Sequence, residues 1–174
     1  HHRSWGVDQS PSITARLEIK QRGRLSIETA TFIDYDEGLE IALYSFSSGE
    51  RYETARLPSR DRYREVRQFT RIYAVGYPAG QTEPISVSGE VSVPRTDWNG
   101  GPRMVHTAPG YPGNSGSGIF AESDFQLIAI YISYFYCRDG SGESIPMEHV
   151  SLGVPGDEIC EWLKRTGYGF LVPS

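Results

Sequence analysis

The sequence predicts an all-β protein, a β-sandwich or a pair of β-barrels, closed by one C-terminal helix. Three observations carry this. Many short segments alternate apolar and polar residues, the period of a strand buried on one face. Clusters of Gly, Pro, Ser and Asp separate those segments at regular intervals. Helical signals come together once, in Asp157-Glu158-Ile159-Cys160-Glu161-Trp162-Leu163-Lys164-Arg165. Pro155 and Gly156 precede that run, acids open it, bases close it and Gly167 stops it, an order that suits the helix dipole.

Ile13 to Ile19 is the first strand, and Leu25 to Asp34 the second, carried by Ile27, Thr29, Thr31 and Ile33. Ile41 to Phe46 follows and ends at Ser47-Ser48-Gly49. Ile72 to Val75 runs into the turn Gly76-Tyr77-Pro78-Ala79-Gly80. Ile85 to Val93 alternates cleanly, and Met104 to Thr107 leads into a glycine-rich run. Leu127 to Tyr136 has the Ile and Tyr that strands favour, and Val150 to Val154 is the last strand.

The chain has 174 residues, enough for one domain or two small lobes. A hydrophobic content of 38% and a charged content of 22% belong to a globular chain, and no apolar run reaches the roughly 20 residues of a membrane span. The net charge of −5 gives no pull toward nucleic acid or an anionic membrane. No secretory signal is visible, so the compartment is left open. Cys137 and Cys160 are too few for a disulfide framework and match no metal spacing. They read as two free, mostly packed thiols, with one disulfide open in an oxidising compartment. No metal and no cofactor is expected.

Seven arginines (Arg51, Arg56, Arg60, Arg62, Arg64, Arg67 and Arg71) lie among Glu53, Asp61 and Glu65. Read functionally they make an anion-binding patch. The interleaved acids favour a solvated connection between two lobes.

The run with most chemical content is Gly113-Asn114-Ser115-Gly116-Ser117-Gly118, directly after Ala108-Pro109-Gly110-Tyr111-Pro112. Glycines beside a serine allow a tight turn and close approach of a substrate. A serine so placed can attack a carbonyl while backbone N–H groups face the developing oxyanion. It is not the nucleophile elbow of α/β-hydrolases, because the second residue after Ser115 is Ser117 and an apolar hairpin follows.

This run, with Ile119-Phe120 and then Gln126-Leu127-Ile128-Ala129-Ile130, resembles the nucleophile region of trypsin-like serine proteases, and most of all the HtrA-type members with Gly-Asn-Ser-Gly. Ala74-Val75-Gly76-Tyr77-Pro78-Ala79-Gly80, Ser88-Gly89-Glu90-Val91-Ser92 and Ser151-Leu152-Gly153-Val154-Pro155 resemble three further segments of that family in the same order. The resemblance implies two antiparallel β-barrels of the trypsin-like serine protease fold and a C-terminal helix. It divides the chain into a partial N-terminal barrel with its connection, 1–71, and a C-terminal barrel with the helix, 72–174. The first barrel is expected to be incomplete and the chain to begin close to its catalytic histidine.

The resemblance implies a serine endopeptidase with Ser115 as nucleophile and the backbone N–H groups of Gly113 and Ser115 as oxyanion hole. His1, or its neighbour His2, is the expected base. Glu40 stands where the family's Asp-Ile-Ala-Leu segment has aspartate, here as Glu40-Ile41-Ala42-Leu43, and lies 75 positions before Ser115. Asp34 and Asp36 are further carboxylates nearby. If His1 and His2 are tag remnants, no base is present. His106 and His149 do not fit the family's histidine–acid–serine order and read as structural, and Asn114 reads as a turn residue.

The residues expected to bind substrate are Pro109, Gly110 and Tyr111 before the nucleophile, and Tyr131, Ile132 and Ser133 after its hairpin. They hold no carboxylate, which removes a preference for Arg or Lys and leaves a small or medium apolar side chain as the default. The partner is a polypeptide, with no nucleic acid and no membrane, and the oligomeric state is open. The alternative is a pseudoprotease, a peptide-binding domain that kept the fold without its base.

Overall fold

A computed structural model describes residues 13–98 and 100–173. The chain separates into two compact units, 1–54 and 55–174.

In the first unit β1 (Thr14–Gln21), β2 (Arg24–Asp36) and β3 (Ile41–Ser45) form an antiparallel three-stranded sheet with β2 in the centre. Arg22 and Gly23 turn β1 into β2, both with positive φ (52° and 77°), as a two-residue hairpin requires. A bulge at Ile33 shifts the register, pairing Phe32 with Tyr44 and Asp34 with Leu43. Leu17 and Ile19 are half-buried, whereas Leu25 and Ile27 on the other face are exposed. Ile27, which carries the alternation in the sequence, therefore lies on the outer row. Period-two alternation shows that two faces exist without saying which one is covered.

The second unit is a closed six-stranded barrel. It comprises β4 (Arg71–Gly76), β5 (Ile85–Trp98), β6 (Gly101–His106), β7 (Gly118–Ala121), β8 (Leu127–Arg138) and β9 (Ser144–Pro155), in the order β4-β5-β6-β9-β8-β7. Ile72, Val91, Met104, Ile119 and Ile128 fill its interior. β8 and β9 continue beyond the barrel as a two-stranded arm, with Phe135 opposite Met147 and Arg138 opposite Ser144.

Residues 55–71 belong to the second unit. They carry a short helix, α1 (Arg60–Arg64), absent from the sequence reading, which placed a single helix. Its N-cap Ser59 accepts from the Arg62 N–H at 3.2 Å, and one turn with one buried side chain, Tyr63, shows no periodicity. Tyr63 and Val66 join the barrel core. Among the described residues, three of the six arginines here pair with acids. Arg62 donates to Asp124 at 2.6 Å and to Ser123 at 3.0 Å, Arg64 pairs with Asp61 and Arg71 with Glu122. The guanidinium of Arg62 holds the Asp124 carboxyl below its ordinary range.

The C-terminal helix α2 (Gly156–Arg165) buries Ile159, Cys160, Trp162 and Leu163. Its first-turn acids Asp157 and Glu158 both pair with Arg95. Both cysteines are free. Cys160 is packed as expected, but Cys137 is exposed because its strand has left the barrel. No helix among the described residues is long and apolar enough to cross a membrane.

Candidate active site

Ser115 lies in the turn between β6 and β7, exposed at the barrel surface. The turn is built by hydrogen bonds on either side of the serine. The Asn114 N–H donates to Tyr111 O at 3.0 Å, the Ser117 N–H to Asn114 O at 2.9 Å, and the Gly116 N–H to Tyr131 O at 2.8 Å. Gly113 and Gly116 take φ of +94° and +89°, a region that other side chains rarely enter. At Gly113 a Cβ would also stand 3.0 Å from the Ala79 amide nitrogen, so glycine is needed there on two counts.

That bonding pattern leaves a pair of donors. Among the described residues the N–H groups of Gly113 and Ser115 have no hydrogen-bond partner, while those of Asn114, Gly116 and Ser117 all do. Asn114 is buried, and its side-chain amide reaches back toward Pro109 O at 3.5 Å. The Ser115 hydroxyl donates to Ile132 O at 2.8 Å. Ile132 sits where the β8–β9 register shifts, between the pairs Tyr131–Gly153 and Ser133–Leu152. The shift leaves its carbonyl outside the ladder and available to the serine.

The six residues expected to bind substrate are all on the second unit. Tyr111 and Ser133 are exposed, Pro109 and Ile132 are half-buried, and Gly110 and Tyr131 are buried. Glu40 is carried by the first unit, exposed in the turn before β3, with φ +59°. Asp34, beside the β2 bulge, accepts from the Tyr35 N–H at 2.8 Å, and Asp36 accepts from the Leu39 N–H at 2.9 Å in the turn after β2. His1 and His2 lie outside the described residues.

His106 is fully buried on β6, and neither ring nitrogen has a hydrogen-bond partner among the described residues. Burial lowers its pKa to about 4, so the ring is neutral at physiological pH. Its edge-to-face contact is with Tyr131, ring centroids 5.5 Å apart. His149 lies exposed on β9. Among the described residues no three His, Cys, Asp or Glu side chains gather as a metal site would need.

Solved structures share this architecture. The protease domain of MamO from Magnetospirillum magneticum matches with a TM-score of 0.62 and 15% identity, over 85% of this chain and 74% of its own. An HtrA-type protease, AlgW, carrying a serine-to-alanine change and holding a tripeptide, matches with a TM-score of 0.66 and 17% identity. That match takes in 88% of this chain but 48% of AlgW, so the chain spans about half the length of that neighbour. At such identities the likeness is one of fold. No curated protein matches the sequence significantly. The family described as the trypsin-like peptidase domain matches residues 7–130, a stretch that begins past His1 and His2 and contains Glu40 and the whole Ser115 turn. Because that match takes in more than half of the sequence, the chain belongs to the trypsin-like peptidase family.

Proposed function

We propose that the protein is a serine endopeptidase that hydrolyses peptide bonds through an acyl-enzyme on Ser115. The observation that carries this reading is the pair of unpartnered N–H groups, Gly113 and Ser115, flanking an exposed hydroxyl. Donors fixed in advance where negative charge will appear stabilise a tetrahedral intermediate without having to reorganise.

In the proposed sequence His1 takes the Ser115 proton as Oγ attacks the substrate carbonyl carbon. The N–H groups of Gly113 and Ser115 hold the oxyanion. Collapse breaks the C–N bond, and the leaving amine takes the proton from the imidazolium. Water, deprotonated by the same imidazole, then releases the carboxylic acid. Glu40 orients that imidazole. A residue other than glycine at φ +59° is uncommon and strained, and such positions gather at functional sites. The extra methylene of glutamate over aspartate calls for a backbone set slightly further back. Pro109, Gly110, Tyr111, Tyr131, Ile132 and Ser133 line the substrate side, and the partner is a polypeptide.

The second reading, a peptide-binding pseudoprotease, is favoured by the bond from the Ser115 hydroxyl to the Ile132 carbonyl, which engages the proton a base would take. A fluorophosphonate probe on the full natural chain separates the two. The expected outcome is labelling at Ser115 that disappears in Ser115→Ala. A folded chain that stays unlabelled refutes the enzyme and leaves the binding domain.

A further inference from the structure

Beside the Ser115 turn the interior is occupied by one side chain. Tyr131 is 1% exposed and is joined to the turn by its backbone, accepting from the Gly116 N–H and donating to Ser117 O, both at 2.8 Å. The next residue, Ile132, accepts the Ser115 hydroxyl. The ring thus starts one residue from the nucleophile's own partner.

The phenol runs inward between two walls. Its hydroxyl meets Ser151 Oγ on β9 at 3.1 Å, and Ser151 Oγ in turn donates to Ala108 O at 3.0 Å. The ring lies against His106 at the back and Gly110 at the side. A Cβ on Gly110 would stand 1.9 Å from the Tyr131 hydroxyl oxygen and 2.8 Å from the Tyr134 ring. The glycine three residues before Gly113 is therefore there for the tyrosine. The space between the 108–110 segment and the 131–133 strand is already filled, and the filling phenol donates its hydroxyl proton to Ser151 inside it.

From this we infer that Tyr131 sets the cleavage preference by occupying the space that a substrate side chain would enter, restricting the residue whose carbonyl Ser115 attacks to glycine or alanine. The inference rests on the endopeptidase reading and narrows its substrate class. A side chain on the attacked residue leaves its Cα within a few ångströms of Ser115 Oγ and must pass between the same two walls. A methyl can stop at the mouth, whereas a leucine or phenylalanine would have to displace a hydrogen-bonded, packed phenol. Close packing leaves little slack for such a displacement.

The test reads binding, so it does not depend on turnover. Acetylated tetrapeptides that differ only in a C-terminal Ala or Phe are titrated into the full chain carrying Ser115→Ala, with Tyr131 present and with Tyr131→Ala added. With Tyr131 present the Ala-ended peptide is expected to bind at least about tenfold more tightly, a difference of about 1.4 kcal/mol. In the Tyr131→Ala form the order is expected to reverse. Equal or tighter binding of the Phe-ended peptide with Tyr131 present overturns the inference, as does an absence of binding by either peptide. That first comparison needs no change at Tyr131, so it stands even if Tyr131→Ala does not fold. Fluorophosphonate labelling of the wild-type chain reports separately on the nucleophile. A labelled protein that prefers Phe-ended peptides loses the pocket inference and keeps the endopeptidase.

Discussion

Of the two units, the first keeps three strands in an open sheet, with β1 and β3 each unpaired along one edge among the described residues. Its buried apolar side chains are Ala30, Leu39 and Ile41. The second unit closes six strands on themselves, so every strand has two neighbours, and Val91, Met104, Ile119 and Ile128 are wholly buried. Closure removes strand edges and gives the interior a full ring of walls. The proposed nucleophile Ser115, the Gly113 and Ser115 N–H groups that have no partner among the described residues, and the residues proposed to bind substrate all belong to the closed unit. Glu40, proposed as the acid, comes from the open one, and His1, proposed as the base, lies outside the described residues. The proposed nucleophile and oxyanion donors are thus carried by the unit with the larger buried core.

Core truncation tests that comparison most strongly. Ile119→Ala in the barrel is expected to cost about 2–5 kcal/mol, and Leu17→Ala in the sheet, where the side chain is half-buried, about 1 kcal/mol. Urea unfolding of both variants measures the gap, and equal costs would remove the asymmetry.

Acid gives a second contrast. The folded chain holds His106 neutral with a pKa of about 4, whereas the unfolded chain takes up a proton near 6.5. The stabilisation is whole above about pH 6.5 and is lost as pH falls toward 4, amounting to about 3 kcal/mol across that window. His106→Phe should flatten this part of the stability–pH curve. Residues 13–54 contain no histidine, so signals from the first sheet should not follow the same titration. A curve that His106→Phe leaves unchanged would place the acid sensitivity elsewhere.

The smallest effect belongs to the sheet's own hairpin. Arg22 occupies a left-handed position that asparagine tolerates better, so Arg22→Asn should stabilise the first unit by about 0.5 kcal/mol. The ion pair it gives up with Glu53 is exposed on both sides and offsets little. A loss of stability on thermal unfolding would show that this ion pair outweighs the backbone strain.

Most strands could be read from the sequence because alternation and turn residues are local signals. Ile72 to Val75 and Leu127 to Tyr136 fall inside β4 and β8. Helix α1 could not, since a single turn with only Tyr63 buried has no period to detect. The β8–β9 arm was hidden because Pro146, early in its return strand, breaks the strand signal. At the site, the serine and its glycines were legible because the turn demands them. Tyr131 was legible as a residue on the expected substrate side, but the packing of its hydroxyl against Gly110 and its bond to Ser151 were not, because both come from segments distant in sequence.

The attachment of α1 to the barrel has a consequence for how this unit can be moved between proteins. Tyr63 and Val66 sit in the core, Arg62 is clipped to Asp124 and the Leu127 N–H bonds Arg56 O. A gene fragment begun at codon 72 would encode all six barrel strands and still omit part of what they close around. The natural seam for recombination, grafting or independent expression is therefore between Thr54 and Ala55. A crossover placed at the first barrel strand would cut through a folding unit and not between two.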